Sequence, residues 1–352
     1  MGDVVVIGAG QAGASCVAKL RNLGFDGGVT LIGAEAVPPY QRPPLSKAYL
    51  LGDMTLERLF LRPESYYADQ NIDLRLTAWV TGIDTDAQTV SIGDEVLGYD
   101  DLVLTTGSIP RRLPASIGGD LDGVFVMRDL GDADAMTSEF RPGRRVLIVG
   151  GGYIGLEAAA VAAKKGQEEV LVEMADGTEI EVDFVIAGVG IAPATALAEA
   201  AGIALDNGIA VDAQGRTSAP GVWAAGDCAS FPHGDTRIRL ESVPHAIDQA
   251  ECVAANITGA AQDYVARPWF WSDQYDVKLQ IAGLNSGYDR VVVRDGGPAR
   301  SFWYYAGDRL LAVDAANDPR GYMIGKRLIE AGMTADPAVV ADPEGDLKAL
   351  LR

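Results

Sequence analysis

The chain has 352 residues, 48% of them hydrophobic, which is enough for two or three domains with substantial cores. Its 29 basic and 49 acidic side chains give a formal net charge of -20, and this field disfavours nucleic-acid partners. The N-terminus has no basic leader segment and no apolar run approaches the roughly 18 residues of a membrane-spanning helix, so neither secretion nor membrane insertion is expected.

Cysteine and histidine are too scarce for several kinds of site. Cys16, Cys228 and Cys252 are widely spaced and odd in number, which argues against a disulfide framework and against a Cys-x-x-Cys site. His233 and His245 are too few for a multi-histidine metal site or a histidine-based triad. We expect a cytoplasmic protein without a metal site.

The first predicted elements are an apolar strand from Val4 to Ile7, a glycine turn, a helix through Leu20 and a strand from Val29 to Ile32. This order is the context that a dinucleotide-binding fingerprint requires. Glycines let the backbone approach a pyrophosphate, while the helix N-terminus supplies free N–H groups and a partial positive charge. The turn residues predicted to contact the dinucleotide are Gly8, Gly10, Ala12 and Gly13.

An acid that binds the ribose is expected near the end of the second strand, about 20 residues beyond the turn. Glu35 is the candidate, since it follows Leu31-Ile32-Gly33 by two residues. The alternative is a solvated loop glutamate.

The same pattern recurs once, as a strand from Arg145 to Val149, a second glycine turn and an alanine-rich helix to about Lys165. Two such turns imply two dinucleotides. The strand from Leu102 to Leu104 closes the first unit and the segment from Val222 to Asp227 returns to it, so one domain interrupts another. The residues predicted to contact the second dinucleotide are Gly150, Gly152, Ile154 and Gly155.

Beyond about Tyr264 the composition changes. Aromatic residues cluster from Trp269 to Tyr275, and strands alternate at Arg290 to Val293 and Ala299 to Tyr305. This pattern predicts a C-terminal α+β domain with an antiparallel sheet.

Together, five segments resemble the FAD-dependent ferredoxin reductases of bacterial oxygenase systems, the group of putidaredoxin reductase and biphenyl dioxygenase ferredoxin reductase. The segments are Pro39 to Lys47, Thr105 to Pro110, Ala225 to Ala229, Glu241 to Pro244 and Pro268 to Gln274. The resemblance implies an α/β fold with glutathione-reductase-like FAD- and NAD(P)-binding Rossmann domains and a C-terminal α+β domain. The implied FAD-binding domain is formed by two stretches, 1–112 and 191–263. Between them lies the NAD(P)-binding domain at 113–190, and the C-terminal interface domain follows at 264–352.

The resemblance also implies residue roles. Lys47 would lie beside the flavin and favour the charge that grows on reduction, and Glu157 would lie near the nicotinamide and pair with Lys47 when no cofactor is bound. Trp271 would cover the flavin on the electron exit path, and Asp227 would bind the ribityl chain. Pro244 would begin a helix whose N-terminus faces the flavin. The other residues matched to FAD contacts are Arg42, Val80, Thr106, Gly107, Arg128, Gly226 and Val243.

One stretch departs from the family. A nucleotide-binding half should continue past its first helix with strand, helix and strand, about 30 residues per βαβ repeat. Here Gly166 is followed by Gln167-Glu168-Glu169, the short apolar run Val170-Leu171-Val172, the hairpin turn Asp176-Gly177 and the strand region from Asp183 to Gly190. Either a hairpin strand is joined directly to the first helix, which fits the spacing slightly better, or Val170 to Glu173 is the second strand, with Glu173 as the ribose acid. The NAD(P) domain is thus predicted to be truncated after about residue 166.

The lack of a Cys-x-x-Cys or Cys-x4-Cys pair argues against a disulfide reductase of the same fold, because that chemistry needs two thiols beside the flavin. The electron acceptor is then outside the chain. The main hypothesis is a reductase that passes electrons from NAD(P)H through FAD to a [2Fe–2S] ferredoxin serving an oxygenase or cytochrome P450. The alternatives are an FAD-binding scaffold without NAD(P)H-dependent turnover, or a reductase for rubredoxin, a quinone or oxygen. Oligomeric state stays open.

Overall fold

A computed structural model describes residues 2–166, 168–170 and 180–351. Packing divides the chain into two compact units, Met1–Tyr264 and Val265–Arg352. The predicted domain ranges divide the chain more finely than this and stay predictions. Within the described ranges, no helix combines the length and apolar character needed to cross a bilayer.

The N-terminal unit alternates strands and helices. Its strands are β1 (Val4–Ile7), β2 (Val29–Ile32), β3 (Asp73–Arg75), β4 (Val80–Asp84), β5 (Thr89–Ile92), β6 (Glu95–Gly98), β7 (Asp101–Leu104), β8 (Ser108–Pro110), β9 (Val124–Phe125), β10 (Arg145–Val149), β11 (Glu168–Val170), β12 (Phe184–Ala187), β13 (Ile191–Pro193), β14 (Ile209–Ala210), β15 (Val222–Ala224), β16 (Ala229–His233) and β17 (Thr236–Ile238). Its helices are α1 (Gln11–Asn22), α2 (Leu56–Leu59), α3 (Glu64–Asp69), α4 (Leu130–Thr137), α5 (Tyr153–Lys164), α6 (Ala196–Ala200) and α7 (Val243–Ile257), with a π-helical turn at Leu45–Tyr49 and a 3-10 turn at Ala115–Ile117.

The first sheet is parallel and has the strand order β15-β7-β1-β2-β3 among the described residues. Ile7 lies in register with Ile32 and Leu104, so the glycine turn after β1 meets the ends of β2 and β7 at one edge. All four residues of β1 are buried, which explains why the strand is uniformly apolar. α1 and α7 pack in the same core through residues that include Val17, Leu20 and Val253.

The second sheet has the order β11-β10-β12-β9 within the ranges that the structure describes. β11 runs parallel to β10, with Arg145 opposite Glu168, and therefore occupies the place of a second Rossmann strand. Up to Val170 this favours the second of the two interpretations, since a hairpin strand would pair antiparallel. Glu173 and the Asp176-Gly177 turn lie outside the described residues. Only residues 171–183 connect β11 to β12, too few for the helix and strand that should follow a second Rossmann strand.

Two smaller sheets, β4-β5-β6 and β14-β16-β17, and an antiparallel ribbon of β8 and β13 complete the described N-terminal unit. The ribbon pairs Ser108 with Pro193, so it joins the end of the first sheet to the end of the second.

In the C-terminal unit, an antiparallel sheet has the order β18-β19-β22-β21-β20. The elements are β18 (Trp269–Gln274), β19 (Val277–Gly283), β20 (Arg290–Gly296), β21 (Ala299–Ala306), β22 (Arg309–Ala316), α8 (Pro319–Glu330), α9 (Pro337–Ala341) and a 3-10 turn at Leu347–Leu351. Its core includes Trp303, Tyr305, Val313 and Leu328. The predicted α/β fold with two Rossmann-like sheets and a C-terminal antiparallel sheet is confirmed.

Candidate functional site

The first glycine turn is built by close backbone approach. Gly8 has a φ of +114°, and a Cβ there would lie 2.2 Å from the carbonyl oxygen of Thr105. A Cβ at Gly13 would lie 2.0 Å from the carbonyl oxygen of Gly8, whereas one at Gly10 would meet nothing within 4 Å. α1 follows with Gly10 as N-cap and no side-chain cap. The turn therefore offers open space and uncapped N–H groups, which suit a pyrophosphate.

Glu35 and Arg42 are brought together. Glu35 accepts hydrogen bonds on both carboxylate oxygens, from Arg42 Nη2 and from the Tyr40 hydroxyl, each at 2.6 Å. Arg42 Nη1 also donates to the Arg128 carbonyl oxygen at 2.9 Å. Burial raises the pKa of Tyr40, so the phenol stays neutral and can donate. Glu35 is thus an anchored carboxylate and not a solvated loop side chain.

Lys47 and Glu157 form an ion pair of 2.6 Å, which is the pairing that the resemblance implied. Glu157 is 4% exposed, and its Oε2 also accepts from the Ser46 hydroxyl at 2.7 Å. Lys47 interrupts the π-helical turn with non-helical angles, φ -135° and ψ -109°. Because Lys47 precedes the second glycine turn by about a hundred residues, the pair ties the two nucleotide-binding halves together.

The second glycine turn repeats the geometry of the first. Gly150 has a φ of +105°, and a Cβ there would lie 2.4 Å from the Gly188 carbonyl oxygen. A Cβ at Gly155 would lie 2.6 Å from the Gly150 carbonyl oxygen. Gly152 is the N-cap of α5, again without a side-chain cap, and Ile154 in its first turn is 40% exposed. The turn is therefore intact and open.

Asp227 gathers polar groups at the ends of β7 and β15. Its Oδ2 accepts from the Ser108 hydroxyl at 2.9 Å and lies 3.4 Å from Arg128 Nη2. Burial lowers the pKa of Arg128, an effect that the Asp227 charge opposes. A Cβ at Gly107 would lie 3.0 Å from Arg128 Nη2, and a Cβ at Gly226 would lie 3.0 Å from the Ala12 Cβ. Thr106 donates to the Ala194 carbonyl oxygen at 2.6 Å.

The start of α7 adjoins this cluster. The Ser242 hydroxyl caps the helix by accepting from the His245 N–H at 3.3 Å, and Pro244 stands in the first turn after Val243. The His245 ring stacks on Phe231, its Nδ1 lies 2.8 Å from the Tyr264 hydroxyl, and burial lowers its pKa to about 4 against the opposing Asp227 charge.

Two predicted residues are not joined to these contacts. Val80 is buried on β4. Trp271 lies half-buried on β18 of the C-terminal unit, where it stacks on Trp269 at 5.5 Å. Its role over a flavin stays a prediction.

Sequence reasoning missed several polar residues of the site. Ser46, Ser108 and Tyr40 stand inside the family segments without a predicted role, and Arg239 lies outside those segments. Arg239 Nη1 donates to the Asp227 carbonyl oxygen at 3.0 Å and pairs with Glu241 at 2.5 Å. The polar character of Ser46 and Tyr40 beside Lys47 and Arg42 is a signal that could have found them, whereas nothing in the spacing marks Arg239.

Comparison with known proteins gives two matches to family models. Residues 2–176 and 167–250 match the pyridine nucleotide-disulphide oxidoreductase model, and residues 269–351 match the reductase C-terminal model. The chain is 40% identical to a ferredoxin–NAD(P)(+) reductase of Sphingomonas sp, over 98% of this chain and 97% of the relative. It is 39% identical to rhodocoxin reductase of Rhodococcus erythropolis, over 98% and 93%. The crystal structure of a covalent putidaredoxin reductase–putidaredoxin complex matches with a TM-score of 0.93 and 37% identity, over 99% of this chain and 98% of that chain.

The same alignments measure the internal shortening. The Sphingomonas relative aligns over 402 positions, whereas 98% of this 352-residue chain is about 345 residues. About 57 positions are therefore occupied in the relative and empty here. The two matches to the oxidoreductase model overlap at residues 167–176, which places the break between α5 and β12.

Proposed function

The chain belongs to the pyridine nucleotide-disulphide oxidoreductase family, and we propose that it is an FAD-dependent reductase that passes electrons from NAD(P)H to a [2Fe–2S] ferredoxin of an oxygenase or cytochrome P450. The observation that carries this proposal is 40% identity to a ferredoxin–NAD(P)(+) reductase over 98% of this chain. A cytoplasmic location belongs to the proposal and is supported by three cysteines that are all free thiols.

The residues present fit both nucleotides. Gly8 and Gly13 leave no room for a Cβ beside the first turn, while the space at Gly10 is open. The second turn has the same plan at Gly150 and Gly155. Asp227 is a carboxylate acceptor suited to ribityl hydroxyls, and Glu35 suits a ribose. When bound, FAD would supply the conversion of a two-electron hydride transfer into single-electron steps.

The side chains then have distinct tasks in the proposed reaction. Ser108 and Arg128 hold the Asp227 carboxylate, so this acceptor is oriented before any ligand arrives. The N-terminus of α7, which the Ser242 hydroxyl caps, adds partial positive charge next to Gly226, whose Cβ would lie 3.7 Å from that of Ala246. Lys47 brings a full positive charge, held by Glu157 near the second turn. With FAD bound, positive charge in these places would favour electron uptake.

The thiols support an acceptor outside the chain. Cys16, Cys228 and Cys252 are each buried and unpaired, and burial raises the pKa of Cys16 to about 12. Burial also raises the pKa of Cys228 and of Cys252. Thiols with raised pKa values are poor nucleophiles near neutral pH, so these cysteines do not suit disulfide exchange.

A second candidate function has a specific observation behind it. The 13 residues 171–183 replace a much longer segment of the relatives, so the alternative is an FAD-binding scaffold without NAD(P)H-dependent turnover.

An anaerobic titration of the purified flavoprotein with NADH, followed by flavin absorbance, separates the two functions. Bleaching, followed by electron transfer to an added [2Fe–2S] ferredoxin, is the expected result. A flavin that dithionite reduces and NADH and NADPH do not would refute the reductase proposal and leave the scaffold.

A further inference from the structure

Two donors share one oxygen of a buried carboxylate. Glu157 Oε2 accepts from the Ser46 hydroxyl at 2.7 Å and from Lys47 Nζ at 2.6 Å. Ser46 and Glu157 are each 4% exposed, so water has little access to replace either bond. A buried carboxylate keeps its charge and its orientation only through such donors.

The chain around Lys47 is held in an unusual conformation. Lys47 departs from helical angles inside the π-helical turn Leu45–Tyr49, and its Nζ also donates to the Pro43 carbonyl oxygen at 3.2 Å. Ser46 is the adjacent residue, and its side chain is fixed on the same carboxylate as the Lys47 side chain.

We propose that Ser46 is a positioning residue for the Lys47–Glu157 pair. Its hydroxyl holds the Glu157 carboxylate turned toward Lys47, and so fixes the ammonium between the two nucleotide-binding halves. Ser46 contacts neither nucleotide in this role and acts through Glu157 alone. The kinetic consequence rests on the proposed function, whereas the placement of Lys47 does not.

Amine labelling of Lys47 in the holoprotein tests the placement directly. An ammonium held by a carboxylate reacts slowly with a limiting amount of acetic anhydride, and mass spectrometry measures the labelled fraction. Lys326 is an internal reference, because it also forms an ion pair, with Glu330, and its side chain is similarly exposed. The exposed fraction is 24% for Lys326 and 20% for Lys47. We expect Ser46→Ala to raise Lys47 labelling at least threefold and to leave Lys326 unchanged, whereas Ser46→Thr stays near wild type.

A double-mutant cycle excludes a general packing defect. Glu157→Gln should raise Lys47 labelling by itself, and Ser46→Ala should add nothing in that background. The matched control is Ser301→Ala, which removes a buried hydroxyl bonded to Asp318 at 2.8 Å in the C-terminal unit and should not change Lys47. The proposal would be overturned if Lys47 in Ser46→Ala were labelled to the same extent as in the wild type. It would also be overturned if Ser46→Ala increased Lys47 labelling equally in the wild-type and Glu157→Gln backgrounds.

Stopped-flow reduction by NADH gives the kinetic readout. Ser46→Ala should lower the limiting rate of flavin reduction about tenfold, the effect of one hydrogen bond to a charged group, with the dissociation constant of NADH unchanged. A change in NADH affinity with an unchanged limiting rate would contradict a positioning role. Failure of NADH to reduce the wild-type flavin would refute the proposed function, while the labelling experiment would still decide on Ser46.

Discussion

At the scale of single residues, the Asp227 carboxylate is the polar centre of the first nucleotide-binding half. Ser108 and Arg128 meet on its Oδ2, and Arg239 binds its backbone carbonyl. An acceptor held by several donors is preorganised, since its orientation costs nothing further when a ligand binds.

Asp227→Ala removes that acceptor and leaves Arg128 without its counter-charge. We expect FAD affinity to fall at least tenfold, because one charged hydrogen-bond acceptor for the ligand is lost. Equilibrium dialysis of FAD measures the change. Asp314→Asn is the control, since Asp314 accepts from Tyr304 at 2.8 Å in the C-terminal unit and should retain wild-type FAD affinity. Equal FAD affinity in Asp227→Ala would remove Asp227 from the site.

His245 gives the molecule a pH dependence of stability. Burial lowers its folded-state pKa from 6.5 to about 4. As the pH falls below 6.5, the unfolded chain takes up a proton before the folded chain does. The contribution of His245 to the free energy of unfolding is therefore complete above pH 6.5 and is lost as the pH falls toward 4. Between pH 7 and pH 5 this amounts to about 2 kcal/mol. Urea unfolding of His245→Gln should show a pH dependence smaller by that amount, whereas exposed His233→Gln should match wild type. An unchanged slope in His245→Gln would contradict this assignment.

At the scale of elements, the glycines of one turn have different tasks. Gly13 packs against the Gly8 carbonyl, whereas Gly10 borders open space. Gly13→Ala should therefore lower the melting temperature of the apoprotein. Gly10→Ala should leave the melting temperature unchanged and weaken FAD binding at least tenfold, because the added Cβ fills the space of the pyrophosphate. Thermal melts and FAD titration of both variants check this, and equal melting temperatures would refute it.

The second turn allows a matched test of the nicotinamide half. Gly155→Ala places a Cβ 2.6 Å from the Gly150 carbonyl, so the turn must shift. We expect a normal flavin content and an NADH bleaching rate reduced at least tenfold. Gly151→Ala is the control, because a Cβ there meets nothing within 4 Å and the turn need not shift. Loss of flavin from Gly155→Ala would show that the two halves are not separable.

At the scale of the whole molecule, the connection between β11 and β12 is much shorter than in the relatives, and we expect this to weaken NADH binding. Insertion of the corresponding segment of the Sphingomonas relative, about 57 residues, should restore the helix and strand that normally follow the second Rossmann strand. The expected result is a dissociation constant for NADH at least tenfold lower, with FAD content unchanged. Titration of both proteins with NADH measures it, and equal dissociation constants would show that the short connection suffices.

The sequence by itself determined the two strand, turn and helix units, a helix beginning at Pro244, one residue after its observed start at Val243, and the antiparallel C-terminal sheet. Each of these depends on local patterns, since glycine spacing, apolar runs and a proline in the first helical turn act within a few residues. The family segments identified from the sequence led to the same fold and function that the comparisons support.

Only the tertiary structure decided which polar groups share a site. Ser46 and Glu157 are far apart in the chain, and so are Ser108 and Asp227, so no local spacing predicts their hydrogen bonds. Glu35 became an anchored carboxylate only through the folded positions of Tyr40 and Arg42. The pairing of β11 was open in the sequence because a strand of three residues fits a parallel or an antiparallel partner equally well, and in the structure β11 pairs parallel with β10.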